Sequence, residues 1–135
     1  MGILDVNLND AEELKTLKDG EEVMLRIGRA EETPNRNDPS RFNLALTFDV
    51  PDDKLVDDIR VWLPIPSAST KEDDPKRYVK QVNRFKQFCD CFGIDTGGSI
   101  QTEDMLGLEG WVIIAEDMGL NGEPQNSVRR FIKKK

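Results

Sequence analysis

Apolar and polar residues alternate with the two-residue period of a β-strand in several stretches of the chain. The clearest is residues 42–50, where every second position from Phe42 to Val50 is apolar. Residues 23–29 and 59–63 show the same alternation, and Gly28 in the first of them indicates a bulge or a sharp coil. Because successive side chains of a strand point to opposite faces, these stretches predict three strands that each turn one face to a core.

The last part of the chain predicts a hairpin. Residues 111–115 and 127–132 are two runs rich in strand-forming residues, and the polar loop between them contains Asn121-Gly122 and Pro124. Asn-Gly favours a turn with positive φ, and proline cannot donate to a sheet ladder. A regular second strand would place Arg129 and Phe131 on one face, opposite Val128 and Ile132.

A helical period replaces the strand period after residue 75. Apolar residues recur three and four positions apart from Tyr78 to Phe92, and Gly93 follows them, so the pattern predicts an amphipathic helix over about 75–92. Lys76, Lys80 and Arg84 form a basic row on another face. Such a row is most often simply solvated.

The remaining stretches predict short or irregular structure. We expect a short helix over residues 11–17 capped by Asn9 or Asp10, a loop over 31–41, a mobile connection over 64–74 and a turn of helix over 101–107.

The order of elements predicts an all-β fold with small α content. Three strands, a helix and two strands fit a five-stranded OB-fold Greek-key barrel with one helix between strands 3 and 4. An antiparallel sheet backed by one helix fits the same pattern. We expect residues 1–20 to form an N-terminal covering segment and residues 21–135 to form the OB-fold domain.

The composition argues against several kinds of catalytic and metal-binding site. The chain has no histidine and two cysteines, Cys89 and Cys91, whose spacing is not that of a metal site. The acidic turn from Asp52 to Asp58 lacks the spacing of a calcium loop. We therefore predict no catalytic residue, no metal and no cofactor. No apolar run is long enough for a membrane span and no secretory signal is seen, which favours a cytoplasmic protein that does not bind membranes.

Charge and aromatic placement suggest a binding surface. The net charge is −7, but basic residues collect in 26–41, 76–86 and 129–135. OB-folds bind ligands on the face of strands 2 and 3 and on the loops between strands 1–2 and 4–5. Cations there would meet phosphates and aromatic rings would stack on bases. The predicted DNA-binding residues are Arg26, Arg36, Arg41, Arg60, Trp62, Arg129, Phe131 and Lys133. An alternative is that Trp62 is covered by a loop or helix, and that Phe131 belongs to the core.

Three segments carry a resemblance to a known family. Residues 41–50 (RFNLALTFDV), 88–94 (FCDCFGI) and 106–112 (LGLEGWV), followed by Asn121-Gly122 and residues 126–128, resemble a bacteriophage family of small OB-fold proteins. The resemblance covers about residues 21–132. It implies single-stranded-DNA binding without strong sequence choice, in phage replication, recombination or repair, in the host cytoplasm. It also implies replication or recombination proteins as partners.

One departure concerns the end of the chain. Many single-stranded-DNA-binding proteins end in an acidic tail that recruits partners, whereas this chain ends in residues 129–135, RRFIKKK. A protein-interaction module that recruits a partner through its acidic surface, which the mobile loops also fit, is the alternative to DNA binding. Homo-oligomerisation is left open by the sequence.

Overall fold

The computed structural model describes residues 2–133, without the side chain of Asp10. Its strands are β1 (Glu22–Pro34), β2 (Phe42–Asp49), β3 (Ile59–Pro64), β4 (Glu109–Met118) and β5 (Pro124–Phe131). The helices are α1 (Ala68–Asp73) and α2 (Pro75–Phe92), with 3₁₀ turns at Leu8–Asp10 and Thr102–Met105.

The strands form one antiparallel sheet in the order β3-β2-β1-β4-β5. β1 is long enough to pair with β2 along residues 26–34 and with β4 along residues 22–26. The register of β1 shifts between Ile27 and Arg29, so Gly28 lies at the predicted bulge. The two edge strands β3 and β5 approach each other. The predicted class, mostly β with one main helix between strands 3 and 4 and an OB-like arrangement, is confirmed.

The C-terminal half of α2 packs on the inner face of the sheet. The Phe92 ring stacks on Phe48 with centroids 5.4 Å apart, and Phe88 meets Phe131 edge-on at 5.5 Å. α2 begins at Pro75 after Asp74, whose side chain accepts a hydrogen bond from the N–H of Arg77. Gly93 ends the helix with a φ of 71°, a conformation that favours glycine.

A second glycine lets α2 approach β4. A Cβ at Gly110 would lie 2.8 Å from the Sγ atom of Cys91 and 2.9 Å from its carbonyl oxygen. The Sγ atom of Cys91 in turn donates to the carbonyl of Trp111 at 3.2 Å. The two cysteines are buried and unlinked, and burial raises the pKa of Cys89 to about 11. They therefore serve as core residues here.

Four local predictions are wrong. Residues 11–17 form no helix, because Lys15 pairs instead with Val56. The connection over 64–74 contains α1, which Ser67 caps by accepting from the N–H of Thr70. β1 continues to Pro34, into the predicted loop. Phe42 is exposed at the start of β2, where the core no longer covers it.

Candidate nucleic-acid interface

The outward face of β3 carries an exposed tryptophan beside an arginine. Trp62 pairs across the sheet with Ala45, and Arg60 pairs with Thr47. Because both partners on β2 are small, nothing on the neighbouring strand covers the indole, which is 61% exposed. Arg60 is exposed and forms no ion pair with any residue in the described part of the chain. The predicted outward orientation of both side chains is confirmed.

A groove lies between β3 and β5, the two strands at the edges of the sheet. It consists of two hollows of about 230 and 380 Å³ that share four lining residues. These shared residues are Arg60, Trp62, Gln125 and Asn126. We call this feature the β3–β5 groove. An aromatic ring, an unpaired guanidinium and the exposed amide of Gln125 are groups that stack on, neutralise and hydrogen-bond a nucleotide.

The β3–β5 groove is not uniformly basic. Asp57 and Asp58 line the smaller hollow, and Asp117 lines the larger one. Asn126 is already engaged, because its amide nitrogen donates to the carbonyl of Leu17 at 2.9 Å. Phosphates would thus be drawn to the Arg60 side and kept away from the carboxylates.

The β1–β2 loop places Arg36 in solvent. The loop is closed by a hydrogen bond from the N–H of Asn35 to the carbonyl of Arg41 at 2.7 Å. Arg36 is exposed and forms no ion pair within residues 2–133. Arg41 differs, because its guanidinium lies between Asp38 at 3.2 Å and Asp73 at 2.8 Å. The prediction that Arg41 presents a free cation is not supported by this geometry, and the residue ties the loop to the end of α1.

Two further predicted arginines are also paired with carboxylates. Arg26 on β1 forms an ion pair with Asp49 on β2. The hydrogen bond from the Arg26 guanidinium to Asp49 raises the pKa of Arg26. Arg129 forms an ion pair with Asp19 of the N-terminal segment. The hydrogen bond from Arg129 lowers the pKa of Asp19 and raises that of Arg129. Each exposed pair neutralises a charge that a phosphate would otherwise meet.

The prediction that Phe131 stacks on a base is wrong. Its side chain is 3% exposed and touches Phe88 and Phe92. The reason is a register shift in the last hairpin: Ile113 pairs with Arg130, whereas Ile114 pairs with Val128. Arg129 is therefore an extra residue, and a bulge of this kind turns both Val128 and Phe131 inward.

Arg84 of α2 covers the Phe131 ring and also lines the larger hollow of the β3–β5 groove. Its guanidinium carbon lies 4.6 Å from the ring centroid. Its nitrogens donate to the carbonyls of Val128 at 2.8 Å and Arg129 at 3.3 Å, on the open edge of β5. Burial lowers the pKa of Arg84.

Lys133 and the exposed Trp111 lie at a separate cleft of about 520 Å³. We call it the Trp111 cleft; its lining residues are Glu22, Met24, Cys91, Glu109, Gly110, Trp111, Ile132 and Lys133. Lys134 and Lys135, the rest of the predicted basic tail, lie outside the described residues. Trp111 is not among the predicted site residues, although its alternation with Val112 predicts an outward side chain.

The part of the chain that the structure describes holds no group of three or more histidine, cysteine or acidic residues placed to bind a metal ion. None of its helices could span a lipid bilayer.

Comparison with known proteins adds no family to this description. No protein-family model matches the chain. No curated protein matches it either.

Proposed function

We propose that the protein binds single-stranded DNA in the β3–β5 groove, with little sequence preference, during phage replication, recombination or repair. The observation that carries the proposal is an indole exposed to 61% beside an arginine, Arg60, that forms no ion pair within residues 2–133. Trp62 would stack on a base, Arg60 would contact a phosphate, and Gln125 would reach a base edge. Arg36 would extend the path along the β1–β2 loop.

The proposed site is smaller than the eight predicted residues. Phe131 is buried, and Arg26, Arg41 and Arg129 are paired with carboxylates. Lys133 lies at the Trp111 cleft. With few free cations, the site would depend on stacking more than on charge, and its affinity would show a shallow salt dependence. Each phosphate contact to single-stranded DNA contributes a slope of about 0.7 in log K against log salt.

The test compares two arginines on the same face of the sheet. Thr47 pairs with Arg60 on one side and with Arg29 on the other, but Arg29 is bonded to Glu31 at 2.7 Å. Arg60→Met and Arg29→Met change the net charge equally. Anisotropy of a labelled oligo-dT should show that Arg60→Met lowers affinity and reduces the salt slope by about 0.7. Arg29→Met should leave both unchanged, and equal losses in the two variants would refute a local role for Arg60.

A protein-interaction function is the second candidate. It is favoured by the three aspartates along the β3–β5 groove, which suit a peptide with basic side chains better than a phosphate chain. Oligo-dT that fails to bind at low salt, while a lysine-containing peptide quenches Trp62, would favour this alternative.

A further inference from the structure

Arg84 is a cation of the β3–β5 groove that the eight predicted residues do not include. It belongs to the basic row of α2 with Lys76 and Lys80, but it alone of the three lines the larger hollow, together with Arg60 and Trp62. It is half-buried, whereas Lys76 and Lys80 are exposed. The row is therefore not uniformly solvated, and its last member forms part of the groove wall.

The fold restrains the orientation of the Arg84 guanidinium. Its carbon atom lies 4.6 Å from the centroid of the Phe131 ring, and two of its nitrogens donate to carbonyls of β5. A guanidinium carries five N–H donors, so these two bonds leave three for another acceptor. Because the group is already held in place, its contact with a ligand costs less side-chain entropy than contact with an arginine on a loop, such as Arg36.

Arg84 has no charged partner in the fold. No carboxylate within residues 2–133 forms an ion pair with it. The carbonyls that accept its hydrogen bonds carry no net charge, and burial of the guanidinium lowers its pKa. A partly buried charge without a counter-ion is unfavourable, so an anion bound beside Arg84 would compensate for the lost solvation.

The two hollows of the groove differ in charge. The larger hollow is lined by Arg60 and Arg84 and by one carboxylate, Asp117. That carboxylate already accepts a hydrogen bond from the hydroxyl of Ser127 at 3.2 Å. The smaller hollow sets Arg60 against the two carboxylates of Asp57-Asp58. A phosphate is therefore favoured in the larger hollow and disfavoured in the smaller one.

We propose that Arg84 is a second phosphate-binding residue of the β3–β5 groove, and that the strand crosses the larger hollow with successive phosphates at Arg60 and Arg84. The nucleotide between these phosphates stacks on Trp62, which lines the same hollow. At about 380 Å³, the hollow is within the size range of sites for small ligands. This inference rests on the proposed function and adds a defined ligand to it, one nucleotide with a phosphate on each side.

The experiment measures the affinity for a labelled oligo-dT by anisotropy at several salt concentrations. Arg84→Gln removes the charge but keeps a donor for a carbonyl of β5. We expect its affinity to fall about 10-fold and its slope of log K against log salt to fall by about 0.7. When Arg84→Gln is combined with Arg60→Met, the slope should fall by about 1.4, because two phosphates lose their contacts.

Two further variants separate a phosphate contact from a structural role. Lys86→Gln is the charge-matched control on the same helix, since Lys86 is exposed and lines a separate hollow with Phe85 and Cys89. It should bind like the native chain. Arg84→Lys keeps the charge, so its salt slope should stay native, while its affinity should fall because lysine lacks the planar fork of donors. Urea denaturation of each variant establishes that it is folded under the titration conditions.

Four results would overturn the inference. A folded Arg84→Gln variant that binds with the native salt slope would restrict Arg84 to a structural role. If Arg84→Gln does not fold, Arg84→Lys with native affinity would lead to the same conclusion. An equal loss of slope in Lys86→Gln would indicate overall charge rather than contact. A double variant that loses no more slope than Arg60→Met alone would exclude two separate phosphates.

These four results leave the proposed function intact as long as oligo-dT still quenches Trp62 and Arg60→Met still weakens binding. A native chain that does not bind oligo-dT at low salt would refute both the proposed function and the role of Arg84.

Discussion

Two pairs of an arginine and an aromatic ring differ in the exposure of the ring, although both arginines line the larger hollow of the β3–β5 groove. On β3, Arg60 and Trp62 both face solvent, and the indole is 61% exposed. At the end of β5, Arg84 lies over the Phe131 ring at 4.6 Å, and that ring is 3% exposed. The chemistry of the two pairs is alike, but the guanidinium of Arg84 donates hydrogen bonds to two carbonyls of β5. Only the first pair presents an exposed ring to a ligand.

The difference in exposure between Trp62 and Phe131 comes from strand register. β3 alternates regularly, so Ile59 and Leu63 are buried and the residues between them that share a parity with Trp62 face outward. β5 contains the extra residue Arg129, so the two-residue period is interrupted before Phe131. The parity of Arg60 and Trp62 therefore correctly predicts a shared outward face, whereas the parity of Arg129 and Phe131 does not, because the register shifts at Arg129.

The largest expected effect is on the buried pair. Phe131→Ala should lower the free energy of unfolding by about 3–5 kcal/mol, because it removes a ring packed among Phe88, Phe92 and Arg84. Urea denaturation followed by circular dichroism measures it. A loss below about 1 kcal/mol would contradict the core position, since exposed substitutions usually change stability by about 0.5 kcal/mol or less.

Trp62→Ala should weaken binding rather than stability. Its free energy of unfolding should stay close to that of the native chain. The binding free energy for oligo-dT should become less favourable by about 1–3 kcal/mol, because one stacked base is lost. Anisotropy titration at fixed salt measures the affinity, and the same denaturation experiment provides the stability. Phe42→Ala is a suitable control, because Phe42 is another exposed aromatic residue outside the lining of the β3–β5 groove. Equal losses of affinity in the two variants would refute a specific role for Trp62.

The smallest effect concerns Arg129, which Asp19 neutralises. The hydrogen bond from Arg129 lowers the pKa of Asp19 below 3.8, so the pair stabilises the fold above that pH and the stabilisation is lost as the pH falls through the lowered pKa. Asp19→Asn keeps an acceptor for the N–H of Glu116 but removes the charge. Its melting temperature should be slightly lower than that of the native chain at pH 7, and the difference should vanish in strong acid.

Asp52→Asn is the charge-matched control for that comparison. Asp52 is exposed and has no ion pair within residues 2–133. It should show no such pH-dependent difference. If Asp19→Asn also raises oligo-dT affinity more than Asp52→Asn does, Arg129 becomes available to phosphate once its partner is removed.

Regular periodicity in the sequence allowed the main elements of the fold to be predicted. The places where that periodicity is interrupted could not be predicted. The alternation in residues 42–50 and the helical spacing after residue 75 place β2 and α2 close to their observed bounds. No local signal marks the bulge at Arg129, because it depends on how β5 pairs with β4. The ion pairs could not be predicted from the sequence either, since Arg26 and Asp49 are far apart in the chain and meet only across the sheet.

The sequence predicted that the Trp62 side chain faces outward, but it did not predict how much of the ring is exposed. Its parity in β3 points it outward, yet only the structure shows that Ala45 leaves the ring uncovered and that β5 supplies the other wall of the groove. Trp111 could have been identified by the same parity argument, from its alternation with the buried Val112 and Ile114.

The most direct measurement uses Trp62 itself as the reporter. The chain has two tryptophans, so Trp111→Phe leaves Trp62 as the only one. Titration with a short oligo-dT at two salt concentrations should quench the Trp62 emission, with weaker binding at the higher salt. An oligonucleotide that binds without changing Trp62 emission, or that does not bind at low salt, would contradict the account of the β3–β5 groove as the DNA site.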